Sequence, residues 1–165
     1  MQIIPLLLKE LEQEAQITHK MLERVPDDKF DWKPHPKSMS IRHLATHLAE
    51  ISAWPAFGLQ TSELDFATMD YKPTEVHSTK DLLDLLDKSV ASAKAALEKA
   101  SDEDLLPTWT MRSGETIHAV YTKYEMIRHS IAQTIHHRAQ LGVYLRLLNI
   151  PIPGSYGPSA DDHNF

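Results

Sequence analysis

Residues 129–141 read "HSIAQTIHHRAQL", placing imidazoles among isoleucine, alanine and leucine at helical spacing. His129, Gln133, His137, Leu141 and Tyr144 follow steps of four, four, four and three, so an α-helix sets them on one line. The line runs on into Leu145 and Leu148, which turns at least part of it towards an interior. An imidazole in such a place needs a hydrogen-bond partner, a path to solvent or a metal ion. His136 is offset by about 100° from His137 and does not share its direction.

A second pair stands upstream in "IRHLATHLAEI", residues 41–51. On a helix His43, His47, Glu50 and Trp54 form one line. His47 is flanked by Leu44, Leu48 and Ile51, at the edge of a buried stripe or within it. His43, one turn earlier, looks outward or towards a bundle end. Core-facing histidines on two helices can meet across a bundle, where metal sites are built from facing side chains. Neutral imidazole suits zinc, nickel, copper and iron, and an open site carries three protein ligands plus water. His47 and His137 are two candidate ligands, and spacing nominates Gln133 for the third position. A histidine on an apolar face is more often a hydrogen-bonded core residue than a ligand, so spacing alone leaves both readings open. His35, His77, His118 and His163 read as solvated surface residues.

Working outward, four segments carry helical periodicity. Ile4, Leu7, Leu8, Leu11, Ala15, Thr18 and Leu22 form the seam of the first, with Glu10, Glu12 and Glu14 facing elsewhere; it ends near "VPDD". The second opens at Ser40, a good N-cap, and runs towards Pro55, which either kinks or ends it. The third, capped by Ser78 or Thr79, has Leu82, Leu86, Val90, Ala93 and Leu97 as its stripe. The fourth spans about residues 122–149 and stops at "NIPIPG". Residues 25–39 and 58–77 read as connections, and "TWTMRSGETIH" as an extended excursion or a short extra helix. These features predict one all-α domain over residues 1–165, an antiparallel four-helix bundle with long connections.

Bulk properties narrow the function classes. A formal charge of -6 argues against a nucleic-acid footprint and against docking on an anionic membrane. No apolar run approaches the roughly 20 residues of a membrane span. The start, "MQIIPLLLKELEQE", is too acidic and its apolar stretch too short for a secretory signal. The chain has no cysteine, so thiol chemistry requires an external thiol and a metal site uses no thiolate. A cytoplasmic protein is the default expectation.

The stretches "HPKSMSIRHLATHLAEI" (35–51), "ELDFATMDYKP" (63–73) and "HHRAQLGVYLRLLNIPIPGSYGPSADD" (136–162) together resemble the DinB/YfiT-like family of bacterial four-helix metalloproteins. The resemblance covers nearly the whole chain, and its specific part is the C-terminal motif. It implies one divalent ion, nickel or zinc, on three histidines. The ligand from the second helix matches His47. The later of two ligands on the fourth helix, four residues apart, matches His137, and the earlier falls on Gln133. That departure leaves three outcomes: Gln133 ligates weakly through its amide oxygen, water fills the position, or the site has lost its metal.

The resemblance further implies a metal-dependent transferase or hydrolase of small molecules in stress or detoxification, using a low-molecular-weight thiol. His43 and Glu50 are candidates for supporting the ligands. Arg138 reads first as a salt-bridging surface or end residue, and Tyr144 as core. Family members commonly form homodimers, in which Trp32, Phe57, Phe66 and Trp109 could be buried if they do not cover the bundle ends instead. The alternative function is a non-catalytic dimeric bundle that binds a small molecule or a regulatory partner. The tail after Tyr156 is expected to pack as a loop with mobile last residues.

Overall fold

A computed structural model describes residues 2–163. The four periodic segments are helical, and their ends fall where capping chemistry puts them. Helix α1 spans Ile4–Leu22, with Pro5 in its first turn. Helix α2 spans Ile41–Ile51; Ser40 is its N-cap and accepts from the His43 N–H at 3.2 Å. Helix α4 (Thr79–Lys99) opens on a reciprocal box between Ser78 and Asp81, and α5 (Lys123–Leu147) on one between Thr122 and Glu125. Each box satisfies amide groups that the first helical turn leaves without partners.

Between α2 and α4 the chain departs from four helices. Pro55 has no N–H to give to Ile51, so the helix breaks at Ser52–Ala53 and restarts as α3, Trp54–Gln60. Residues 58–77, read as a connection, contain the end of α3 and a short strand, β1 (Glu63–Asp65). The 101–121 region holds a 3-10 turn at Asp102–Leu105 and a hairpin of β2 (Thr108–Ser113) and β3 (Thr116–Thr122). Gly114 sits at its tip with φ +58°, a conformation that favours glycine.

The all-α expectation is corrected by this three-stranded sheet, ordered β1-β2-β3. β1 is parallel to β2, with Glu63 opposite Thr110, and β2 is antiparallel to β3, with Trp109 opposite Tyr121. Arg112 ties β2 to β1 through Glu63, at 2.9 and 3.0 Å, and through Asp65 at 3.3 Å.

The interior forms two clusters. One gathers Met21, Leu22, Leu44, Leu48, Leu82, Leu86, Leu141 and Leu145. The other gathers Leu7, Leu11, Leu97, Trp109, Met126, Ile127 and Ile131. Along α5 the buried polar residues Thr134, His137 and Arg138 fall between the positions that serve the two clusters. Glu14, expected outside the α1 seam, is buried against Arg138. Trp109 is fully buried on β2, and Trp32 packs edge-on against Tyr144 at 5.8 Å. No helix among the described residues is long and apolar enough to cross a membrane. The last two residues of the tail, expected to be mobile, lie outside the described residues.

Candidate functional site

His47 of α2 and His137 of α5 meet across the bundle. Their ring centroids are 4.8 Å apart with planes at 72°. Two imidazoles bound to one ion at about 2.0–2.1 Å, with an angle of about 90–110° between them, hold their centroids roughly 4.5–5.3 Å apart. The observed spacing lies within that range. His137 is only 8% exposed and His47 is half-buried.

Burial pushes both imidazoles below the ordinary histidine pKa, since the cationic form loses its hydration. His137 lowers His47 further, as does His43, while Glu50 opposes the shift. For His137 the contact with Gln140 opposes the shift and neighbouring His136 adds to it. Both rings therefore favour the neutral form, which has a lone pair free to donate.

Gln140 determines which nitrogen offers that lone pair. His137 Nδ1 lies 3.0 Å from Gln140 Oε1. With a carbonyl oxygen as acceptor, Nδ1 carries the proton and Nε2 stays unprotonated. Gln140 escaped the sequence reading, although its place three residues after His137 on a helix is the available signal.

Gln133 is half-buried, with its amide nitrogen 3.4 Å from His129 Nε2. Gln133, His129, His47 and Glu50 share the wall of a cavity of about 550 Å³. Trp54 and Phe57 of α3 build another part of that wall. Leu64, Phe66, Met69 and Tyr71 contribute from the chain that follows, and Met111 from β2. His129 stacks on Tyr121 with centroids 5.6 Å apart. The aromatic wall was not anticipated, because β1 and α3 beyond Trp54 lay in segments without periodicity, and His129 was read only as part of the α5 line.

The structure separates the remaining candidates. His43 is exposed and outside the cavity wall. Glu50 lies beside His47, but its carboxylate is occupied by Tyr71 and Thr74: Oε1 accepts from the Thr74 N–H at 2.9 Å and its hydroxyl at 2.7 Å, and Oε2 accepts from the Tyr71 hydroxyl. His136 is exposed, its ring 5.0 Å from that of His137. Arg138 is a salt-bridging residue but not a surface one. It is buried and pairs with Glu14 at 2.7 Å, and it donates to Thr18 and to the Tyr156 hydroxyl. Tyr144 packs on the core. His35, His77, His118 and His163 are exposed.

Among the described residues no group of three or more His, Cys, Asp or Glu is placed to hold a metal ion. Gln133, one turn before His137 on α5, shares the cavity wall with His47. A second groove of about 550 Å³ is lined by Gly142, Val143, Arg146 and the 152–159 segment, and neither His47 nor His137 lines it.

The sequence profile of the DinB family matches residues 1–164. Among solved structures, a DinB-like protein from Bacillus subtilis superposes with a TM-score of 0.70 at 19% identity, covering 90% of this chain and 96% of that one. A DinB-like protein from Bacillus cereus gives a TM-score of 0.67 at 22% identity, covering 90% and 94%. At these identities the likeness establishes the fold alone. Comparison with curated proteins finds no match.

Proposed function

The chain belongs to the DinB family, and on that premise we propose that it binds one divalent ion, nickel or zinc, through His47 and His137, with Gln133 at the third position. The proposed activity is metal-dependent transfer or hydrolysis of a small molecule held in the adjoining cavity. The observation that carries this reading is the His47–His137 pair, ninety positions apart in sequence, with rings 4.8 Å apart beside that cavity.

When bound, such an ion lowers the pKa of a thiol or water and so supplies a nucleophile at neutral pH. The chain's own residues prepare the place. Burial keeps both imidazoles neutral, and Gln140 holds His137 in the tautomer whose Nε2 can donate. Trp54, Phe57 and Met111 keep bulk water from that side of the cavity. With no cysteine in the chain, the thiol of a transfer reaction would arrive as a low-molecular-weight cosubstrate.

The test is metal content and thermal midpoint, with added nickel or zinc, for the wild type, His47→Ala and His137→Ala. A ligand that binds only the folded state raises the midpoint. The wild type should retain metal and shift upward, and both variants should lose metal and shift. Equal metal content in all three would sink the assignment. One observation favours a second reading, a bundle that binds a small molecule without turnover: the Gln133 amide nitrogen faces His129. In that case no divalent metal moves the wild-type midpoint.

A further inference from the structure

We propose that the cavity beside His47 selects an uncharged, predominantly apolar molecule with an aromatic or cyclic body, its single polar group placed at the end of the cavity where His47 and Gln133 lie. This rests on the reading that this cavity is the working site.

The argument begins with what the wall lacks. No lysine or arginine among the described residues lines it. Its one carboxylate, Glu50, is held by the Tyr71 hydroxyl and by Thr74, so it has little left for a ligand. In the metal-free chain a phosphate or carboxylate group entering here would lose its hydration without meeting a cationic side chain, and would approach Glu50 as a like charge; a bound divalent ion would attract it, so the selectivity argued here is that of the wall without the ion. Sugars and nucleotides need several directed donors and acceptors. This wall offers chiefly His47, His129 and Gln133, and the last two already face each other.

What the wall does offer is aromatic and thioether surface. Trp54 and Phe57 come from α3 and Met111 from β2. Phe66, Met69 and Tyr71 complete it while remaining 46%, 40% and 47% exposed. Three large side chains that line one cavity and stay half in water gain most from an apolar occupant. A volume of about 550 Å³ suits a molecule of drug-like size.

The experiment uses the full chain in the presence of a chelator and two probes of one skeleton: N-phenyl-1-naphthylamine, which is uncharged, and 1-anilinonaphthalene-8-sulfonate, which adds an anion. Fluorescence titration should give saturable binding of the amine at one per chain, roughly tenfold or more tighter than the sulfonate. Phe66→Asp should weaken amine binding about fivefold or more. Val143→Asp, in the second groove, should leave it unchanged. If Phe66→Asp loses its cooperative thermal transition, Met69→Asp replaces it, as that side chain is also half-exposed. Sulfonate binding as tight as the amine's, no amine binding, or sensitivity to Val143→Asp in place of Phe66→Asp overturns the proposal. Absence of metal with these arms intact overturns only the metal reading.

Discussion

His137 Nδ1 and Gln140 Oε1 are 3.0 Å apart on adjacent turns of α5, so the ring is held by its own helix. Partners of this kind typically account for 10–100-fold in metal affinity. Gln140→Ala should therefore weaken zinc or nickel binding by about that factor, read by calorimetric titration. Gln140→Glu should restore it, because a carboxylate also accepts from Nδ1–H. Unchanged affinity in Gln140→Ala would remove His137 from the ligand set.

In the proposed metal site Gln133, an amide, would be a weak donor at the third position. Gln133→His would place imidazoles four residues apart on one face of α5 and should tighten metal binding more than tenfold, about 1.4 kcal/mol. The same titration checks it, and no gain would mean that this face does not reach the ion.

The pH dependence of stability follows from the two depressed histidines. Their folded-state pKa lies below 6.5, the ordinary value, so the unfolded chain binds protons first as pH falls. Their contribution is present above about 6.5 and is lost as pH drops through the folded values. For metal-free protein, the urea midpoint should decline as pH falls below about 6.5. His47→Gln with His137→Gln should flatten that decline. Carboxylates such as Asp65, held low by the Gly114 and Ala67 N–H groups, act only at lower pH. A wild-type midpoint flat over this range would contradict the shifts.

Glu50 ties the 71–74 segment to α2, and burial with the Glu50 contact raises the Tyr71 phenol above its usual range. Glu50→Ala should speed amide exchange across residues 66–74 and bring the Tyr71 pKa down, since both the acceptor and the negative charge are removed. Exchange in α4 and α5 should not change. Unaltered exchange at 66–74 would mean that packing alone holds the segment.

The pair of Arg138 with Glu14 is buried at both ends. Removing one partner strands a charge, so Arg138→Ala should cost about 3–5 kcal/mol in urea unfolding. Arg138→Met combined with Glu14→Leu should recover most of that loss. A cost under about 1 kcal/mol for the single change would place this pair in the energetic class of exposed ones.

Legibility in the sequence followed the strength of the periodic signal. The helices of the bundle announced themselves because each buries one stripe against its neighbours, and Ser40 and Ser78 marked their starts. His47 and His137 were legible for the same reason, as polar residues on apolar lines. The sheet was not. β3 is exposed along most of its length and β2 buries only Trp109, so neither shows the alternation that betrays a strand with one dry face. Glu14 and Arg138 misled because charge predicts exposure unless the partner is known, and here the partners are 124 positions apart in sequence. The cavity's aromatic wall stayed hidden because it assembles from a proline-broken helix, a three-residue strand and the chain after it.

The parallel alignment of β1 with β2 has a consequence for the order of events in time. It joins positions roughly fifty residues apart, with all of α4 between them, while β2 and β3 join across a tight turn. Closing the longer loop costs more entropy, so the hairpin should zip first and β1 should dock late. Arg112, waiting on the finished hairpin, then clasps the arriving strand through Glu63 and Asp65.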